Sequence, residues 1–102
     1  MSKLVVLYKT PVDAAAFDKY YFETHIPIAK KIPGLRKYTV NRGPVGAPGG
    51  PAPVHLVAEL YFDDAAAIGA AFASPEGQAA GADVANFATG GADMLIFDTQ
   101  EV

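Results

Sequence analysis

From Lys3 to Lys9 almost every position is aliphatic or aromatic, and Thr10-Pro11 closes the run. Apolar side chains on both parities of a strand belong to a segment covered on both faces. Asp13 then caps a helix opening with Ala14-Ala15-Ala16. Along it, Phe17, Tyr21, His25 and Ile28 recur at helical spacing on one face, with Tyr20 and Thr24 beside them. Pro27 offers no N–H to the Glu23 carbonyl and steers Ile26 out of the α region, which predicts a break or kink near His25-Ile26. A second helical piece, Ile28 to Ile32, is expected to follow and to end at Pro33-Gly34.

Leu35 to Arg42 alternates polar and apolar residues, the pattern of a strand with a wet edge that Arg36, Lys37 and Arg42 protect from stray pairing. Gly43 to Pro53 is almost all Gly, Pro and Ala and reads as a loop. Val54 to Phe62 is the longest strand signal. Asp63 or Asp64 caps an Ala-rich helix with Ile68 and Phe72 at i,i+4. Ser74-Pro75 restarts a helix in which Gly77 and Gly81 bare one side for close packing; Gly90-Gly91 closes it, and Met94 to Phe97 gives the last strand. The order β-α-β-β-α-β is that of the ferredoxin-like α+β fold: a four-stranded antiparallel sheet with both helices on one face.

That architecture raises a physical problem. Helices cover one face only, yet the two most apolar strands, the first and the third, are apolar on both. Leu4, Val6 and Tyr8 oppose Val5 and Leu7; Val54, Leu56, Ala58, Leu60 and Phe62 oppose Val57 and Tyr61. A lone subunit would leave several hundred Å² of apolar sheet in water, more than monomers usually tolerate. The expected remedy is a homodimer joined through the sheet face.

Composition narrows the function. At 102 residues the chain is a single domain, 1–102, and 51% hydrophobic against 19% charged is too apolar for a disordered tail. Eight Lys+Arg against eleven Asp+Glu gives a net charge of −3, the wrong sign for nucleic acid. The absence of Cys removes disulfides and thiolate chemistry. Leu4 to Tyr8 is too short an apolar run for a signal segment or a membrane span, so a cytoplasmic protein without membrane attachment is expected.

Few polar residues lie on elements that look buried. His25 either caps the carbonyls of the broken turn or points into a cavity between helix and sheet, where an imidazole titrating near neutrality suits proton transfer. Glu59, midway along a central strand, either pairs with a basic residue on the next strand or across a dimer, or orients a catalytic group. His55 and Tyr61 share its face. His55, near the mouth of the Gly/Pro loop, reads as solvated. Tyr20 and Tyr21 are core residues, unless the one pointing inward donates a hydrogen bond to a ligand carbonyl. No phosphate-binding loop, nucleophile elbow or dinucleotide fingerprint is present, and no spacing supports a metal set.

The stretch Phe17-Asp18-Lys19-Tyr20-Tyr21-Phe22-Glu23-Thr24-His25-Ile26-Pro27, running into Lys31-Ile32-Pro33-Gly34-Leu35, resembles the EthD family of ethyl tert-butyl ether degradation proteins. So do Glu59-Leu60-Tyr61-Phe62-Asp63, Ser74-Pro75-Glu76-Gly77 and Ala92-Asp93-Met94. The resemblance implies a dimeric α+β barrel, with ligands held between the helices and the sheet of each subunit. It also implies kinship with cofactor-free polyketide cyclases, muconolactone isomerases, quinol-type monooxygenases and haem enzymes. The family name comes from ether-degradation gene clusters in which a cytochrome P450 system carries out the oxidation, and some members are labelled reductases. By motif position His25 matches a pocket-lining residue of cyclase-like relatives. Some of those carry a His two residues after the proline that opens the last helix; Gly77 stands there in this chain.

Together these observations lead to a small catabolic protein that needs no cofactor. His25 is expected to act as general acid/base on a small apolar or aromatic carbonyl compound, with Tyr21 and Glu59 positioning it. Phe17, Tyr20, Ile28, Tyr61 and Phe72 are expected to line the substrate site. The competing expectation is a non-enzymatic accessory protein that holds an apolar intermediate for a partner oxygenase.

Overall fold

A computed structural model describes residues 1–102. Four strands, β1 (Ser2–Lys9), β2 (Lys37–Val40), β3 (Val54–Phe62) and β4 (Ala92–Asp98), form one antiparallel sheet in the order β2-β3-β1-β4. The two most apolar segments are therefore the two central strands, and the topology is the expected ferredoxin-like one. The second strand is shorter than the sequence pattern suggests. Arg36 joins the ladder only through its N–H, donated to the Tyr61 carbonyl at 2.8 Å.

Register sorts the side chains into two faces. Leu4 lies opposite Leu60 and Ile96, Val6 opposite Ala58 and Met94, and Tyr8 opposite Leu56 and Ala92, so these residues share the face on which the helices pack. On the far face Lys3 lies between Tyr61 and Phe97, and Val5 between Glu59 and Leu95. No helix covers this second face. Leu95 is 50% exposed and Phe97 44%.

The first helical segment obeys its cap, and at the expected break or kink it leaves α geometry without leaving the helix. Helix α1 (Ala14–Tyr20) opens with the Asp13 side chain accepting from the Ala16 N–H at 3.0 Å. It continues without interruption through a π turn, Tyr21–His25, into α2 (Ile26–Ala29). The Ile26 N–H bonds the Tyr21 carbonyl, five residues back, and Ile26 itself is helical at φ −56° and ψ −46°. The extra residue in the wide turn takes the carbonyls before Pro27 out of α register, so the proline ring is accommodated without a break. Regular helix then stops at Ala29, and the chain reaches Ile32 through two tighter bonds, Lys31 to Ile28 and Ile32 to Ala29. This corrects the expected piece from Ile28 to Ile32.

After β3, Asp64 caps α3 (Ala65–Ala73), its side chain accepting from the Ala67 N–H at 2.8 Å. Ser74 caps α4 (Pro75–Asp83) in the same way through the Gly77 N–H at 3.0 Å. A Cβ at Gly77 would sit 2.0 Å from the Ala71 carbonyl oxygen, so the α3–α4 corner requires glycine there. Gly81 borders open space, which corrects the expectation that both glycines serve close packing. Regular helix ends at Asp83, not at Gly90-Gly91 as expected, because a single 3₁₀ turn, Val84–Asn86, tightens the chain and leads to the buried ring of Phe87. The Gly/Pro segment is not wholly irregular either: Gly46–Ala47 pairs with Gly50–Pro51 in a two-stranded hairpin. No helix is long and apolar enough to cross a membrane.

Candidate functional site

Between the helix-facing side of the sheet and the helices lies a cavity of about 80 Å³. Its floor is Val6, Ala58 and Leu60, and its helical walls include Phe72, Ala80 and Val84. Met94 and Gly81 also line it and are themselves exposed, so they mark its mouth. Four lining side chains carry polar atoms into this apolar surround: Tyr8, Tyr21, His25 and Tyr38.

His25 and Tyr21 stand at the two ends of the π turn on its buried face, ring centroids 5.2 Å apart. The phenyl ring of Phe87 packs 4.6 Å from the imidazole. Nδ1 of His25 lies 2.8 Å from Oδ2 of Asp83, the last residue of α4. The other carboxylate oxygen accepts from the Tyr20 hydroxyl at 2.6 Å and from the Asn86 amide at 3.0 Å. Three donors thus converge on one nearly buried carboxylate. Burial works against the charge on Asp83, but the bonds from Tyr20, Asn86 and His25 outweigh it and hold the carboxyl below its ordinary range. An ionised Asp83 can only accept, so Nδ1 of His25 carries the proton and Nε2 keeps its lone pair.

Nε2 has no protein partner, and no side-chain polar atom is both unpartnered and sealed from accessible space. In a residue only 5% exposed that lines the cavity, this nitrogen opens onto the cavity. Burial lowers the His25 pKa from its ordinary 6.5, and the neighbouring carboxylate only partly offsets the effect. The imidazole is therefore neutral at pH 7, an oriented base facing an apolar space.

The phenols complete the lining. The hydroxyls of Tyr21 and Tyr38 are hydrogen-bonded to each other at 2.5 Å. Burial pushes the pKa values of Tyr8, Tyr21 and Tyr38 upward, so all three remain neutral donors. No three His, Cys, Asp or Glu side chains gather as a metal-binding set.

Of the residues singled out from sequence, His25, Tyr21 and Phe72 meet at the cavity. Glu59 does not. It projects from the opposite face of the sheet, where it accepts from Lys3 Nζ and from the Tyr61 hydroxyl, each at 3.2 Å. Strand alternation forbids a residue between Ala58 and Leu60 from reaching the helix side. The carboxylate that orients His25 is Asp83. Tyr61 shares the far face, its ring flanked by the ammonium groups of Lys3 at 5.1 Å and Lys37 at 5.3 Å. Phe17 is buried behind Tyr21, stacked at 5.7 Å, and does not border the cavity. Tyr20 acts from outside the cavity, through Asp83, and Ile28 is a half-buried core residue away from the lining. His55 pairs with Asp18 at 2.7 Å on a separate surface.

Asp83, Tyr8 and Tyr38 escaped the sequence reading. Tyr8 and Tyr38 had a usable signal, because each falls on the parity of its strand's buried set, with Leu4 and Val6 or with Val40. Asp83 follows Gly77 and Ala80 at three-residue steps, which places a carboxylate on the packed side of a helix of small residues.

The EthD domain family model matches residues 9–91. A Rhodococcus erythropolis protein named as an uncharacterized 11.0 kDa protein in the thcB-thcC intergenic region is 42% identical over 102 residues, covering 100% of this chain and 98% of that one. The crystal structure of an ethyl tert-butyl ether degradation family protein from Bacillus halodurans superposes with a TM-score of 0.90 at 41% identity, covering 98% of this chain and 99% of that one. SnoaB from Streptomyces nogalater, described as a cofactor-independent oxygenase, shares the fold at a TM-score of 0.69 and 17% identity, covering 99% and 94%. The match of the family model over most of the sequence, with two relatives above 40% identity along the full chain, shows that this chain belongs to the EthD domain family.

Proposed function

We propose that the chain is a small catabolic enzyme that moves a proton on a small apolar or aromatic carbonyl compound without a cofactor. His25 is the base, Asp83 the group that fixes its tautomer, and Tyr21 a hydrogen-bond donor to the carbonyl. The observation that carries this reading is the unpartnered Nε2 of a neutral imidazole in the wall of an apolar cavity. Apolar walls raise the cost of stray charge and strengthen each hydrogen bond within them, which favours proton transfer inside the cavity over proton exchange in bulk water. The fold shared with a cofactor-independent oxygenase is compatible with such chemistry.

The experiment is deuterium exchange into small enolisable carbonyl compounds by the purified protein alone in D2O. Exchange that falls roughly 10²–10⁴-fold in His25→Gln supports the reading. Binding of the same compounds without exchange assigns the chain instead to the accessory role, as a holder of an apolar intermediate for an oxygenase.

The exposed far face of the sheet supports a homodimer. Leu95 and Phe97 are exposed and Leu7 and Val57 half-buried on the face that carries the Lys3–Glu59 pair, and a second copy is the occupant that a self-complementary face of this kind fits. Sedimentation at micromolar concentration giving a single subunit would contradict it.

A further inference from the structure

The phenols give the cavity more donors than the one that the general-base reading uses. Tyr8 is 1% exposed and lines the cavity, yet its hydroxyl bonds no protein atom. Since no unpartnered side-chain polar atom is sealed off, this hydroxyl opens onto the same space as Nε2 of His25. Tyr21 and Tyr38 hold two further hydroxyl protons, of which their mutual bond uses one. Two O–H donors and one base therefore face an otherwise apolar volume. A neutral carbonyl oxygen accepts one strong bond readily, whereas an oxygen carrying full negative charge rewards two charge-assisted ones.

We propose that the hydroxyl of Tyr8 and the free hydroxyl of the Tyr21–Tyr38 pair form an oxyanion site, and that the ligands of the cavity are enolisable carbonyl compounds and phenols. This rests on the reading of His25 as base and specifies what that base deprotonates. With a carbonyl compound the C–H bond beside the carbonyl breaks, and its proton goes to Nε2. The electron pair moves through the new C=C bond onto oxygen, giving an enolate held by Tyr8 and the Tyr21–Tyr38 pair beside an imidazolium held by Asp83. Return of the proton to the same carbon completes an exchange, and its delivery to the oxygen gives the enol; in neither case is anything oxidised or reduced. With a phenol the O–H proton goes to Nε2 and the phenolate oxygen takes the same two bonds. The cavity is about 80 Å³, against roughly 150 Å³ for an apolar cavity that seats benzene. The oxygen-bearing end of the ligand enters, and the remainder passes the mouth at Met94 and Gly81.

The test is titration at pH 7 of the full chain with phenol, a series of fluorophenols of increasing acidity, and toluene as a shape control. Affinity in the wild type is expected to rise with acidity, and ultraviolet difference spectra are expected to show the bound ring ionised below its solution pKa. Tyr8→Phe should weaken the most acidic phenols by about tenfold and leave toluene unchanged. Equal affinity of Tyr8→Phe and wild type across the series, or bound phenols that stay neutral, would overturn the proposal; the spectral result needs no variant. The two claims fail separately. Tyr8-dependent phenolate binding in a protein that exchanges no carbonyl proton removes the catalytic reading and keeps the oxyanion site. Exchange that is fast in both wild type and Tyr8→Phe removes the oxyanion site and keeps the base.

Discussion

His25 and Asp83 lie 58 residues apart in sequence and 2.8 Å apart in space, joined by a buried bond from the imidazole Nδ1–H to a carboxylate that two other side chains hold in place. The pair links the π turn to the end of α4. The dyad logic predicts the outcome of Asp83→Asn. An amide has one accepting end. Serving Tyr20 and Asn86 with that end turns its NH₂ toward His25 and shifts the imidazole proton to Nε2. Carbonyl exchange activity should fall at least about 100-fold and bound phenols should no longer give up their proton to the imidazole, which activity and ultraviolet titration measured side by side will show.

Acidification should act on stability in two steps. Burial holds the folded His25 pKa below 6.5, so between that lowered value and 6.5 the unfolded chain binds the extra proton and the folded chain does not. Stability is therefore full above pH 6.5 and declines as pH falls to the folded value. Asp83, also lowered, adds stability present above its ordinary carboxyl range and lost as pH falls through its folded pKa. Urea melts from pH 8 to pH 4.5 should show the first decline in the wild type and lose it in His25→Gln.

The two glycines of α4 should respond in opposite directions to alanine. At Gly77 the added methyl meets the Ala71 carbonyl at 2.0 Å, a backbone atom that cannot step aside, and the α3–α4 corner must shift. A loss of roughly 1–3 kcal/mol is expected. At Gly81 nothing lies within 4 Å, and a better helix former should add about 0.5–1 kcal/mol. Thermal melts of the two variants will distinguish packing from propensity.

Glu59→Gln tests the correction to the site. The side chain faces away from the cavity and pairs with Lys3 while half-buried on the side of the sheet that no helix covers. Proton exchange per subunit should stay within about twofold of wild type, with any effect confined to subunit association.

Much of this was legible in the chain. The cap at Asp13, the two-faced β1 and β3 and the placement of His25 beside Tyr21 follow from spacing alone. Pro27 marked where α geometry gives way but not how, because the local rule assumes a four-residue hydrogen-bond step, whereas Tyr21 to Ile26 uses five and absorbs the ring. Glu59 misled because an unusual charge attracts attention whichever way it points; its parity, opposite to Ala58 and Leu60, already excluded the cavity. Asp83 was hidden for the converse reason. Its partners Tyr20 and His25 lie on another element, and only the packing of α4 over the π turn brings them together.

The account depends on the protonation of one nitrogen, and ¹⁵N-edited NMR of the imidazole side chains at pH 7 reads it directly. The structure predicts His25 as a neutral ring protonated at Nδ1, with Nε2 bare and remaining so below pH 6.5. A proton found on Nε2 at neutral pH, in either the other tautomer or the imidazolium, would contradict it.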